Sequence, residues 1–586
     1  MKKLLISVLL FTTLAGAQMP VPALPQVYIN TTWNLPTGGT TWQPHTSTDL
    51  ANALNSAIPG DTIVLDAGRV YSGNFVFPAK ANPSNLWIYL ESSALSKLPS
   101  PGMRVGPSNA VNMPKIVSLN SAPALTVASG ANHLRLVGVE VTSQSTSPSG
   151  CPSRSSSGRL ENCFTSALIY FDQLQHGAPI STDSIFIDRC YLHGSPTQDV
   201  GQGIIGNATN FAVIDSYISD IHYTVNDSQA LLIFYTPGPI KIVDNYLSAT
   251  TEDILFGGAG YYDNPYVPSD IEIRRNHFFK PLSWFSCGDG GTIQNGERLA
   301  DGTLCSGTPN QWDTKNNIEF KTGQRVVVTG NILENTWLSG QDGTSVLFTV
   351  RTSQSGNIAV VDDITFQSNI IKNADAGFQT AAWDNLCSAQ YGYPNCTSPG
   401  ESKRVWVDDN LVLLGPTADG AHHWGASINQ DLTDYHFQHN TFLMSDLSAL
   451  DAPLYFELPQ TTGCSPVGSV THNVWINDNA MGSQVGGDCG LQGTPGLTQD
   501  MGDPSPMDPR FFGNVMFVPA GEKMYSWPAD NYATMVPFTY GNPIQGNYQL
   551  STPDWTDTTD GKVSGISWSS LQTALGNQSG GSKVIN

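Results

Sequence analysis

Charge is what this sequence has least of. Only 13% of its 586 residues are Asp, Glu, Lys or Arg, about half the roughly 25% of an ordinary soluble domain. Basic residues are the scarcer kind: 27 Lys and Arg stand against 49 Asp and Glu, a formal net charge of −22. With no basic excess to release counterions from a phosphate backbone, nucleic acid is excluded as a partner. An anionic polymer becomes a workable substrate only where a bound cation or a local basic cluster offsets the field. Long apolar runs are also missing. The one run, Leu4 to Leu14, follows Met1-Lys2-Lys3 and precedes Ala15-Gly16-Ala17. It is too short for the ~20 residues that span a bilayer and fits a secretory signal peptide over residues 1–17, cut after Ala17. The mature chain is expected to be exported, monomeric and without membrane insertion.

Thiolate pairs of the C-x-x-C kind are absent, which removes the usual zinc-ligand spacing. The 9 cysteines all lie beyond the leader. Eight fall as neighbours, Cys151 with Cys163, Cys287 with Cys305, Cys387 with Cys396 and Cys464 with Cys489, each around a Gly-, Ser-, Pro- or Asn-rich stretch, as loop staples in an oxidising compartment do. Cys190 is left over. Turn-formers are abundant, with 56 Gly and 38 Pro, and 40% of residues are hydrophobic. The chain therefore folds around a core and turns often.

An eight-residue pattern recurs: apolar, x, apolar, x, x, Asn, x, apolar. It reads IKIVDNYL (240–247), IEIRRNHF (271–278), VVVTGNIL (326–333), ITFQSNII (364–371), VWVDDNLV (405–412) and YHFQHNTF (435–442), with degenerate copies IFIDRCYL (185–192), FAVIDSYI (211–218) and a late one around Asn473. The marker positions 190, 216, 245, 276, 331, 369, 410, 440 and 473 are 26 to 41 residues apart, except for one step of 55 that reads as two coils with an insertion. Each copy is a period-two strand, a polar bend and a second short strand, too little to bury its own apolar face. Stacked copies bury it, which predicts an all-β parallel β-helix solenoid. At the bend, inward Asn side chains can bond the Asn above and below. Cys190 and Ser216 are small substitutes there, so Cys190 is expected to be a buried free thiol.

A solenoid needs covered ends. Leu50 to Gly68 reads as an amphipathic helix, a Pro-Gly turn and a first strand, and SWSSLQTAL (567–575) as a short C-terminal helix. The expected organisation is a leader over 1–17, an N-terminal segment and cap over 18–80, coils with loop insertions over 81–490, and an irregular C-terminal region and cap over 491–586.

The Pro-Gly-Asp-Thr-Ile cap and the Asn-marked coils resemble the right-handed parallel β-helices of the pectate-lyase-like superfamily. SDIEIRRNHFFKPLSW (269–284), NNIEFKTGQRVVVTGNILENTW (316–337) and LFTVRTSQ (347–354) are similar to a recurring group of secreted bacterial β-helix proteins. One fold hosts many chemistries. The hydrolase motifs of that superfamily are Asn-Thr-Asp, Asp-Asp, Gly-His-Gly and Arg-Ile-Lys. Only Asp-Asp occurs here, as Asp362-Asp363 and Asp408-Asp409, where turn and strand-edge roles suffice. In FIDRCYLHG the superfamily's lyase His is replaced by Arg189.

A second strand column, GIIGN (203–207), LLIFY (231–235), DILFG (253–257), NIEFK (317–321) and VLFTVR (346–351), points Glu319 and Lys321 outward by alternation, with Arg351 one coil on and Asp253 one coil back. Lys and Arg beside carboxylates suit β-elimination from a uronate polysaccharide, which needs a base, a positive charge for the developing dianion and an acid for the leaving oxygen. The resemblance to the chondroitinase and alginate-lyase branch implies Lys321 as base, Arg351 as charge stabiliser, and Glu319, Glu334 and Asp253 as ligands of Ca²⁺. Lys280 is a second candidate base. Trp284, Trp312 and Trp337 are candidate sugar platforms. His193, His222 and the pair His422-His423 lack ligand spacing. The partner expected is an extracellular polysaccharide. Two other readings stand beside the lyase: a non-catalytic carbohydrate-binding or cell-surface solenoid, in which Glu319, Lys321 and Arg351 are a solvated ion-pair ladder, and a glycoside hydrolase with a carboxylate pair.

Overall fold

The computed structural model of the chain describes residues 20–32, 38–144, 164–172, 180–195, 198–223, 226–258, 266–284, 312, 314–339, 341, 343–351, 359–381, 401–415, 423–429, 432–444 and 451–457, and short strands at 475–477, 479–482, 485–487, 510–512, 515–517 and 548–550. The leader, the eight neighbouring cysteines, the side chains of His422-His423 and the expected C-terminal helix lie outside these residues.

Each coil gives one short strand to each of three sheets. Sheet 1 holds the strand before the Asn bend, such as Ile240–Val243. Sheet 2 holds the strand after it, such as Tyr246–Ala249, and sheet 3 the third, such as Glu252–Phe256. Among the described residues the sheets have 14, 14 and 12 strands, paired in parallel between successive coils. The architecture is a right-handed parallel β-helix. Alternation accounts for the core: Ile240 and Ile242, Leu247, Ile254 and Phe256 point in, and the equivalent residues of the next coil stack on them.

The bend between sheets 1 and 2 has a fixed chemistry. The residue before each marker takes a left-handed φ: Arg189 48°, Asp215 54°, Asp244 58°, Arg275 53°, Gly330 67°, Ser368 57°, Asp409 58° and His439 55°. Asp holds three of these eight positions and Gly one, residues that tolerate that region well. The marker side chains form a continuous ladder. Asn245 donates from its backbone N and from Nδ2 to Oδ1 of Asn276, at 2.9 and 3.0 Å, and from Nδ2 to the Val213 carbonyl at 2.8 Å. The same set repeats through Asn276, Asn331, Asn369, Asn410 and Asn440. It continues to Asn479, 39 residues on, and not to Asn473. The pattern VWINDNAM carries Asn479 in the marker position. Cys190 starts the column as a buried free thiol whose pKa burial pushes up to about 12.

The helix Ser47–Ser56 caps the first coil. Thr46 and Asp49 close its capping box, and Leu50, Ala53 and Leu54 join the core beside Phe75 and Phe77. The strand expected before Gly68 is Thr62–Leu65, and with Val70–Ser72 and Phe75–Phe77 it makes a first coil already within residues 18–80, while sheets 1 and 2 extend past residue 490 to Arg510–Phe512 and Tyr548–Leu550. Residues 20–32 form an unanticipated strap across the outside of sheet 1. Ala23 N donates to Asp363 Oδ1 (3.0 Å), Gln26 N to Asp270 Oδ1 (2.9 Å), Lys241 Nζ to the Ile29 carbonyl (3.1 Å) and Arg135 Nη2 to the Thr31 carbonyl (2.9 Å). Pro22, Pro25 and Ile29 are its buried residues between 21 and 30. Among the described residues no helix is long and apolar enough to cross a membrane.

Candidate functional site

Two strands of sheet 3 turn two successive residues inward at the register that Asp253 and Ile254 occupy. Leu168 with Ile169 and Ala230 with Leu231 belong to the main core, whereas Ala167, Ile205, Leu232 and Leu255 form a separate outer cluster. Simple alternation back from Ile254 puts Asp253 outside. The extra inward residue turns Asp253 in, and Glu252 takes the outer position, in register with Gln229 and, one coil before, Gln202.

Glu252 is fully buried. Gln202 Nε2 donates to Gln229 Oε1 at 3.1 Å, and Gln229 Nε2 donates to Glu252 Oε2 at 2.7 Å. The other oxygen, Oε1, accepts no hydrogen bond among the described residues; its nearest cation, Lys315 Nζ, stands 4.0 Å away and is held by Asp227 at 2.6 Å. Burial, and after it the charge of Glu319, push the Glu252 pKa up to about 7. Glu319 comes from the next coil and is 2% exposed. Its Oε1 lies 3.6 Å from Lys321 Nζ and 3.5 Å from Thr349 Oγ1, while Oε2 has no hydrogen-bond partner among the described residues. Arg351 follows one coil on, its backbone N on the Lys321 carbonyl (3.0 Å) and its Nη1 on the Val350 carbonyl (3.1 Å). A buried polar atom left unpaired costs roughly 1–3 kcal/mol, more for a charge. Two such carboxylate oxygens stand on adjacent coils, with Lys315 and Lys321 beside them, as acceptors and cations that a ligand can meet.

At the sheet 2 side of this band stands an aromatic wall. Trp312 packs on the His222 ring at 3.8 Å, Trp284 meets His222 edge-on at 6.1 Å, and Trp312 Nε1 donates to Asp199 Oδ1 at 3.3 Å. Trp284 is buried and Trp312 partly exposed, so only Trp312 offers surface to a sugar ring. Trp337 is buried in the next coil, just beyond the sheet 2 strand Ile332–Thr336, and is not a platform.

Of the residues expected to converge, Glu319 and Lys321 are joined by contact and Arg351 follows on the same edge, while the others part. Lys280 is sealed inside: its Nζ donates to the carbonyls of Ala249 (2.7 Å) and Thr251 (3.0 Å) and lies 3.7 Å from Asp253 Oδ1. Burial lowers its pKa against the pull of Asp253. Asp253 also accepts from Ala249 N (2.7 Å) and Asn317 Nδ2 (2.9 Å), a structural pair under the sheet 2 to sheet 3 corner. Both side chains are spent on contacts inside the coil, on the other side of the strand from Glu252. Glu334 points from sheet 2, paired with His277 at 2.9 Å and Lys372 at 3.0 Å. Glu319, Glu334 and Asp253 therefore occupy an outer face of sheet 3, an outer face of sheet 2 and the interior. They do not fit a Ca²⁺ ligand set, and no cluster of three or more His, Cys, Asp or Glu suited to a metal occurs among the described residues. Asp362 and Asp363 are strand-edge carboxylates held by Arg404, and His193 is held by Glu140 at 2.8 Å.

No protein-family model and no curated protein matches the sequence. Among solved structures the chain is similar to an alginate lyase from Paenibacillus sp. str. FPU-7 (14% identity over 70% of this chain and 97% of that one, TM-score 0.36). It is similar also to a polygalacturonase from Erwinia carotovora ssp. carotovora (12%, 76% and 99%, TM-score 0.38) and to the tailspike protein of E. coli bacteriophage HK620, in complex with a pentasaccharide (10%, 82% and 65%, TM-score 0.43). Likenesses this distant assign no activity, and the coil itself is established by this chain's own strand pairing.

Proposed function

We propose that the protein is an exported polysaccharide-active β-helix that cleaves an acidic glycan on the outer face of sheet 3, with Glu252 and Glu319 as the acid and carboxylate pair. The observation that carries this is the two neighbouring buried carboxylates, each with an oxygen that no described residue satisfies. Glu252, which keeps its proton up to about pH 7, donates it from Oε1 to the leaving glycosidic oxygen. Glu319, beside the Lys321 ammonium, supplies the opposing carboxylate, as base toward water or as nucleophile. Lys315, Lys321 and Arg351 face the acidic groups of the sugar and offset the −22 charge locally. No step passes through calcium.

A second reading, uronate β-elimination, is favoured by Arg351. Its guanidinium meets only the Val350 carbonyl among the described residues, which leaves it able to clamp a sugar carboxylate beside Lys321. An ion-paired Lys321 is a poor base, so hydrolysis stands first. The test is incubation with pectin, alginate, glycosaminoglycans and neutral glucans, with reducing ends and unsaturated-product absorbance followed together. New reducing ends without the chromophore support hydrolysis, both signals support elimination, and binding without either signal supports a non-catalytic solenoid. Glu252→Gln is expected to lower cleavage by ~10²- to 10⁴-fold.

A further inference from the structure

We propose that Gln229, itself oriented by Gln202, is a positioning residue that decides which oxygen of Glu252 carries the transferable proton; this rests on the reading of Glu252 as the acid. An amide NH₂ can only donate. Aimed at Oε2 from 2.7 Å, it is accepted best by an unprotonated oxygen and so favours the carbonyl over the hydroxyl at Oε2. The proton is left to Oε1, where no described donor competes.

The contact with Gln202 favours this direction of the amide. Gln229 Oε1 accepts from Gln202 Nε2 at 3.1 Å, so flipping the Gln229 amide alone would set two nitrogens against each other at that end. The three residues are in register on consecutive coils, so the relay is built by the same stacking that builds the Asn ladder. Gln229 is buried and Gln202 partly exposed, which leaves the far end of the relay hydrated. The charged groups facing Glu252 are Glu319 from the next coil, Asp227 and Lys315 at the sheet edge, and Lys280 from the interior. They act through space, and Gln229 is the hydrogen-bond donor on the carboxyl.

Infrared difference titration of the intact protein, wild type minus Glu252→Gln, reads the protonated carboxyl of Glu252 directly, with no substrate required. In Gln229→Met, which keeps the bulk and removes the donor, loss of a contact that favours the ionised form moves the midpoint up by about one pH unit, a tenfold change in acidity. Gln202→Met moves it the same way by less. In turnover assays the alkaline limb follows the same shift, with kcat lowered and KM unchanged. Restoring an amide donor with Gln229→Asn returns part of the shift. An unchanged midpoint in a folded Gln229→Met overturns the proposal. If that variant fails to melt cooperatively, an unchanged midpoint in Gln202→Met overturns it instead. A shifted midpoint alongside undiminished cleavage by Glu252→Gln supports the positioning of the carboxyl and removes the acid reading on which its catalytic role rests.

Discussion

Asn331 joins three coils through one side chain. Its Oδ1 accepts from the backbone N and Nδ2 of Asn276 at 2.8 and 3.0 Å, and its Nδ2 donates to Asn369 Oδ1 at 2.9 Å and to the Ile273 carbonyl at 3.1 Å. Asn331→Ala strands the Asn276 donors in a dry interior, at roughly 1–3 kcal/mol for each buried group left unpaired. Urea denaturation is expected to show a loss of about 3 kcal/mol, and Asn331→Ser, the residue that Ser216 supplies elsewhere in the column, a smaller one. These residues were legible because the ladder demands one residue type at one phase of every coil. Glu252 was not. Which of Glu252 and Asp253 faces out depends on a second inward residue at that register of sheet 3, and period-two alternation carries no sign of that extra residue. Lys280 misled for a related reason: a lysine before Pro281 reads as a candidate base until the carbonyls of Ala249 and Thr251 are seen to enclose it.

Among the elements, the strap has the least warning in sequence. Its contacts reach coils that lie hundreds of residues away, Ala23 to Asp363 and Gln26 to Asp270, and no local pattern announces them. The geometry is nevertheless simple. Those two Asp residues are two strand spacings apart in sheet 1, about 9.6 Å, and three residues at the polyproline rise of about 3.1 Å cover that distance. Arg325 and Arg404 hold the two carboxylates ready. Ile29→Asp puts a charge among Phe186, Ala212, Ile214 and Val243. Hydrogen exchange is expected to accelerate at the amides of Ala23 and Gln26 in that variant while the Asn ladder keeps its protection; unchanged exchange there would mean that the strap does not depend on this anchor. The coils themselves were readable, since their repeat is a property of sequence. Their limits were less so, because the first coil is built from the short strands Val70–Ser72 and Phe75–Phe77, which lack the marker.

Over the whole molecule, scarcity of charge follows from the stack: most of each coil is apolar interior, ladder or turn, and several of the remaining acids are buried. Burial raises Asp215, Asp253 and Asp362 to about 6, Glu252 to about 7 and Asp408 to about 8. Such groups bind more protons folded than unfolded. The stability they contribute is full below the unfolded carboxylate range and is lost as pH rises through 6 to 8. Glu140, Asp61, Asp270 and Asp363, held below the ordinary range chiefly by partners that outweigh burial, act oppositely and lose their contribution in stronger acid. Tm is therefore expected to peak near about pH 5 and to fall toward pH 8; a Tm that rises across that interval would contradict the assignment of these carboxyls as protonated. The same fold strings Lys315, Lys321 and Arg351 along the outer face of sheet 3 with Glu252 and Glu319, and the most direct measurement of what they do is the chain length of an acidic polysaccharide over time. Size-exclusion profiles are predicted to show shortening by the wild-type protein, and binding without shortening by folded Glu252→Gln and Glu319→Gln. Equal shortening by wild type and both variants, or none of any acidic polymer by the wild type, would contradict the account.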